Sequence, residues 1–179
     1  MKTFLILLIF NIGLLSEGHK LSFKESASIS NWRITNDGVM GGLSKGAIQK
    51  TDRGILFSGE VSLKNFGGFT SYKSEFKKYN LEEYTQVDIK YRSTGTDMAI
   101  QLETSRQFFA PYFKANLPVS PEWVVKTVDF NEFKQYQMGE AKNLTMQDKD
   151  LKNVIRVGFI TNEKKAGAFE FEVDYIEFK

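Results

Sequence analysis

Glu170, Glu172 and Asp174, at alternate positions in the run EFEVD, are the nearest this sequence comes to a catalytic cluster. Two carboxylates can serve as acid and base, or as acid and nucleophile, on a glycosidic bond. Their spacing argues otherwise: residues two apart share one face of a strand, opposite Phe169, Phe171 and Val173, and that reads as the solvated side of an amphipathic strand. The rest of the inventory excludes more than it offers. There is no cysteine, which removes thiol nucleophiles, CxxC redox chemistry and thiolate zinc sites. The single histidine, His19, falls at the start of the expected mature chain, so none is left for a Ser-His-Asp triad or an HExxH zinc site. The net charge is +2, with lysines and acids interspersed rather than gathered into the basic stripe of a nucleic-acid binder. The expectation is a protein that is not an enzyme, with no cofactor, no metal and no nucleic-acid partner.

Binding residues are easier to nominate. The stretch NDGVMGGLSKG, residues 36–46, is rich in glycine but leads into a strand-like segment, whereas a phosphate loop opens a helix. Only Asp37 is acidic there, too few for an EF-hand, although a structural calcium held by backbone carbonyls elsewhere stays open. Asp37-Gly38 reads as a turn, and Gly41-Gly42 as a place of close strand approach or positive φ. The candidates for ligand or partner contact are Asn36, Asp37, Met40, Asn65 and Arg92. If the Asp37 charge serves binding, Asp37→Asn should disturb stability little. Phe108, Phe109, Tyr112, Phe113 and Trp123 could stack on a sugar ring, but aromatic residues at strand positions belong to cores as readily. Trp32 reads as core.

The elements that must position these residues follow from hydrophobic period. Ile55, Phe57, Gly59, Val61 and Leu63 fall on one face of a strand, as do Val87, Ile89 and Tyr91, and Met98, Ile100 and Leu102. RQFFAPYFKANL, EWVVKTVDF, NVIRVGFITN and GAFEFEVDYIEF add four strands, for about nine or ten in all. The apolar phase switches in the last of them, from Val173 and Tyr175 to Ile176 and Phe178, which predicts a β-bulge or a change of neighbour near Tyr175. Helix is confined to a turn at 80–84 and another at 147–152, and the polar run 135–150 reads as a loop. Many short antiparallel strands without βαβ alternation predict an all-β, two-sheet sandwich of jelly-roll form. Residues 1–18 have the lysine, short apolar run and small residues of a secretory signal peptide, with 19–179 as one domain; the apolar run is too short for a spanning helix. The expected location is exported, periplasmic or secreted, with no stable membrane insertion and a monomeric state.

Trp32, then NDGVMGGLS, then FSGEVSLKNFGGFTS at 57–71 resemble the signature of the complex I intermediate-associated protein 30 (CIA30) family. YRSTGTD, YFKANL, EWVVKTVDF and the C-terminal VGFITNEKKAGAFEFEVDYIEF continue the resemblance over nearly the whole mature chain. YRSTGTD departs from the family pattern at its turn, which is more often Gly-Asp-Gly-like, and VDFNEF lacks the proline that often precedes the phenylalanine. The resemblance implies a galactose-binding-like jelly roll and a structural signature made of Trp32, Gly38, Gly41, Gly42, Ser44, Gly67, Gly68 and Phe69. It also implies a non-enzymatic module with a protein partner, because the best known members assist assembly of respiratory complex I. A signal peptide conflicts with literal transfer, since bacterial complex I carries its peripheral arm on the cytoplasmic side. The role therefore transfers as a class, a sandwich that binds another macromolecule; the alternative is an extracytoplasmic carbohydrate-binding module.

Overall fold

A computed structural model describes residues 18–25 and 29–179; the expected signal peptide lies outside them but for Gly18. Thirteen strands occur among the described residues: β1 (His19–Ser22), β2 (Arg33–Asn36), β3 (Lys45–Lys50), β4 (Ile55–Val61), β5 (Thr70–Lys73), β6 (Gln86–Thr94), β7 (Met98–Glu103), β8 (Tyr112–Leu117), β9 (Val124–Asp129), β10 (Lys134–Gln137), β11 (Glu140–Thr145), β12 (Arg156–Thr161) and β13 (Gly167–Phe178). One sheet runs β3-β4-β13-β6-β9, with β1 also on β13; the other runs β11-β10-β8-β7-β12-β5-β2. Every pairing is antiparallel.

Alternation turns one face of each sheet inward. Ile55, Phe57 and Val61, then Val87, Ile89 and Tyr91, then Met98, Ile100 and Leu102 are all buried, as the sequence pattern requires; Leu63, beyond the end of β4, is exposed. Phe159 of one sheet meets Phe171 of the other with ring centroids 4.8 Å apart, and Trp32 packs on Phe23, Tyr72 and Phe159. Stacked, tilted and edge-on contacts of this kind add to the burial of large apolar area that holds two sheets face to face.

The phase switch in β13 has two coincident causes. Its register with β6 shifts between Val173 and Tyr175, so Asp174 is the extra residue of a bulge. There β13 also changes neighbour: β4 pairs with it from Gly167 to Val173 and β1 from Tyr175 to Phe178. The inserted residue returns Ile176 and Phe178 to the inward face, where both are fully buried.

The run expected to be a loop is instead largely a hairpin, β10-β11, turning at Met138 and Gly139 with φ of 52° and 81°. Two successive positive φ values are what a tight hairpin turn requires. The pattern gave no sign of it because all six residues of β11 are exposed, so no apolar alternation marks the strand. The helical turns stand where the sequence places them, at Leu81–Glu83 and Asp148–Leu151.

Candidate functional site

Asp37 joins the two glycine-rich signature blocks. It begins the 3-10 turn Asp37–Met40 and is 1 % exposed. Its Oδ1 accepts a hydrogen bond from the Ser44 amide at 3.0 Å. Its Oδ2 accepts from Ser44 Oγ at 2.5 Å, from the Gly68 amide at 2.7 Å and from the Phe69 amide at 3.3 Å. Burial pushes this carboxyl up, but the bonds from Ser44, Gly68 and Phe69 outweigh it and hold it below its ordinary value. The glycines have matching reasons. Gly41 adopts φ +86°, and a Cβ on Gly42 would run into the Asp37 carboxylate; one on Gly67 would come within 2.6 Å of Asp37 Oδ2. Gly38 has open space around it and no positive φ, and nothing in the structure explains it.

Asp37 is thus a buried cross-link, not a surface contact, and this corrects its nomination for binding. Asn36 faces inward too, its Oδ1 accepting from Thr70 Oγ1 at 2.5 Å. Met40 ends the 3-10 turn, and its side chain is outside what the structure describes. Asn65 is exposed at the tip of the second block with φ 54°, followed by Phe66 with φ 62°. Trp32 is core, and so is Phe113.

Arg92 and Trp123 come together on the outer face of the six-stranded sheet. They line an open groove of about 590 Å³ with Arg53, Leu56, Glu170 and Glu172. The guanidinium groups of Arg53 and Arg92 stand 5.6 and 5.5 Å from the Trp123 ring centroid. Arg92 Nε also donates to Glu172 Oε2 at 2.7 Å. Glu172 is therefore not the solvated residue its position suggests: its side chain is 7 % exposed. Asp174, in the bulge, pairs with Lys90 at 2.9 Å, and Glu170 remains exposed. Among the described residues no three His, Cys, Asp or Glu side chains gather to hold a metal ion, and no helix is long and apolar enough to cross a membrane.

The outer face of the seven-stranded sheet gathers aromatic, amide and ammonium groups in one row. Tyr112 lies directly across from Tyr136 in the β8-β10 register, and the rings stack at 6.1 Å with an interplanar angle of 18°. Burial, with smaller contributions from Tyr136 and Glu103, pushes the Tyr112 phenol up to about 12. Lys114 Nζ sits 4.1 Å from the Tyr136 centroid and donates to Asn162 Oδ1 at 2.7 Å. Asn162 donates to Asn116 Oδ1 at 2.6 Å, and Asn116 to Asp97 Oδ2 at 3.0 Å. Beside Lys114 in the register is Gln101, 3 % exposed, whose Nε2 donates to Glu103 Oε1 while its Oε1 is buried without a partner. Lys73 and Glu103 close the row at 2.8 Å. Of this set only Tyr112 was nominated from sequence. Alternation in YFKANL could have added Lys114 and Asn116, whereas Tyr136 was hidden in the supposed loop. Phe108 and Phe109 stand outside it, exposed and edge-to-face at 5.0 Å in the β7-β8 loop.

The family model of Complex I intermediate-associated protein 30 (CIA30) matches residues 21–173. The chain belongs to the CIA30 family. None of the curated proteins is similar enough in sequence to match it. Among solved structures, this CIA30 domain is similar to the family 11 carbohydrate-binding module of the cellulosomal cellulase Lic26A-Cel5E of Clostridium thermocellum. The two share 14 % identity over 90 % of this chain and 93 % of that one, with a TM-score of 0.64. A family 29 carbohydrate-binding module, CBM29-2, matches at 10 % identity and TM-score 0.53 over 89 % of each chain. The agarase AgWH50C matches at 9 % identity and TM-score 0.55, over 89 % of this chain and 24 % of the enzyme. At these identities the likeness establishes the jelly roll.

Proposed function

We propose that this CIA30 domain is a non-enzymatic, exported, monomeric binding module and that the outer face of its seven-stranded sheet binds a glycan. The observation that carries this is the stacked Tyr112–Tyr136 pair beside Asn116, Asn162 and Lys114. Aromatic rings offer apolar faces to the C–H side of a sugar, while amides and an ammonium meet its hydroxyls; a few directed polar groups around an apolar platform are the usual composition of a small-ligand site. That carbohydrate-binding modules share the fold at full length supports the reading. Calorimetric titration with a panel of soluble polysaccharides and their oligosaccharides tests it. Tyr136→Ala is expected to weaken the best ligand by about 30-fold, the effect of losing one dominant contact, with the unfolding midpoint little changed because the ring lies on the outer face, away from the core. Binding that survives Tyr136→Ala intact would place the ligand elsewhere.

A protein partner is the second reading, and Phe66 favours it. This residue is 97 % exposed and follows Asn65 in the left-handed region, so two consecutive strained residues hold a phenylalanine out in water. The family's association with complex I assembly intermediates is consistent with a docking loop of this kind. Affinity capture from the envelope fraction with the intact protein and with Phe66→Ser separates the readings: a protein lost only from the variant supports the loop.

A further inference from the structure

The polar groups on the tyrosine face are unevenly charged, and the imbalance points to a ligand class. Lys114 lies directly opposite Lys134 in the β8-β10 register, a like-charge cross-strand pair. Lys164 approaches from the β12-β13 loop with φ 46°, a left-handed residue that carries its side chain against the β10-β11 turn: its Nζ would lie 3.8 Å from a Cβ on Gly139. Lys114 reaches the same hairpin from the sheet, over Tyr136, and is tied to Asn162, two residues before Lys164. Lys114 and Lys134 have no carboxylate at ion-pair distance among the described residues; Lys164 has only Glu140, at 4.0 Å and with both side chains largely exposed. Burial, and after it the neighbouring Lys164 charge, lower Lys114 to about 8.

We propose that this face takes an acidic glycan, whose carboxylate or sulfate group lodges between the ammonium groups of Lys114 and Lys164 while its ring lies on Tyr136. The inference rests on the glycan-binding reading and narrows it. A ligand anion supplies the counter-charge that the protein lacks, and charge-assisted hydrogen bonds from two lysines distinguish it from a neutral chain of the same shape.

The test titrates the protein at low salt with a uronic-acid oligosaccharide, a sulfated oligosaccharide of similar length, a neutral β-glucan oligosaccharide and polyglutamate. The expected result is that one of the acidic sugars binds at least about tenfold more tightly than the neutral one, and that Lys164→Met or Lys114→Met removes about tenfold each. Which acidic sugar is preferred distinguishes carboxylate from sulfate. Lys164 is exposed, so its variant folds even if Lys114→Met does not. Polyglutamate binding as tightly as the sugars would overturn the inference, because charge alone would then suffice. Equal affinity for neutral and acidic sugars, still lost in Tyr136→Ala, would overturn the inference and keep the glycan reading; no binding of any sugar would overturn both.

Discussion

Asp37 has no cation at ion-pair distance among the described residues, yet it is 1 % exposed and accepts four hydrogen bonds. Three backbone amides and one hydroxyl replace the water that a buried charge loses. An asparagine has one carbonyl oxygen, so its NH₂ would face either the Ser44 amide or the donors from Ser44 Oγ, Gly68 and Phe69. Asp37→Asn should therefore cost about 3 kcal/mol, as expected when a buried charged acceptor is lost and a donor is left unsatisfied. Urea unfolding measures it, and a loss below about 1 kcal/mol would contradict the cross-link. A mild substitution is expected only if the Asp37 charge serves binding, and the buried bonds argue against that condition. The pH dependence has a definite sign. The folded pKa of Asp37 lies below its ordinary 3.8, as does that of Asp88, where burial is outweighed by bonds from Lys179 and Thr127. Their stabilisation is complete above the ordinary value and disappears as pH falls through the lower folded values. The protein should lose stability in the window below pH 3.8, and Asp37→Asn should flatten part of that slope.

At the scale of elements, the bulge in β13 lets one strand serve two partners while keeping its inward residues buried. The turn before β4 is built around it: a Cβ on Gly54 would collide with the carbonyl oxygen of Val173 and lie 3.2 Å from Asp174 Cα. Gly54 is buried and its amide bonds Thr51 Oγ1 at 3.0 Å, so the turn has little room to retreat. Gly54→Ala is expected to lower stability by about 1 to 3 kcal/mol through overpacking. Chemical denaturation measures the loss, and hydrogen exchange should show earlier opening at the β4-β13 pairing than at β7-β12. An unchanged exchange pattern would mean that the bulge absorbs the methyl group.

At the scale of the molecule, the aromatic core makes the two sheets one cooperative unit. Phe159 is fully buried and touches Phe23, Trp32 and Phe171, so its ring contacts reach across the sandwich. Phe159→Ala should cost about 3 to 5 kcal/mol, the range for emptying a buried phenylalanine site. Unfolding should remain a single transition, with tryptophan fluorescence and far-ultraviolet circular dichroism reporting the same midpoint. Separate midpoints would show that the sheets melt independently. The outer faces are free of this constraint, which is why the Trp123 groove and the tyrosine face can differ in chemistry on one scaffold.

The inward-facing residues were legible from sequence because burial imposes a period of two: Phe57, Ile89, Ile100 and Phe171 announce their strands and the sandwich they close. The β13 bulge was legible for the same reason, as a break in that period. The signature blocks were recognisable as a pair, but only folding brought Asp37 within hydrogen-bond reach of Gly68, 31 residues away. An exposed strand imposes no period, so β11 was silent and Tyr136 with it. The proposed binding face depends on that silent hairpin, since it pairs Tyr136 with Tyr112 and brings the Met138-Gly139 turn against Lys164. Strand periodicity comes from which side of a chain meets the core; the neighbours across an outer face come from register between distant strands, and that information exists only once the sheet has formed.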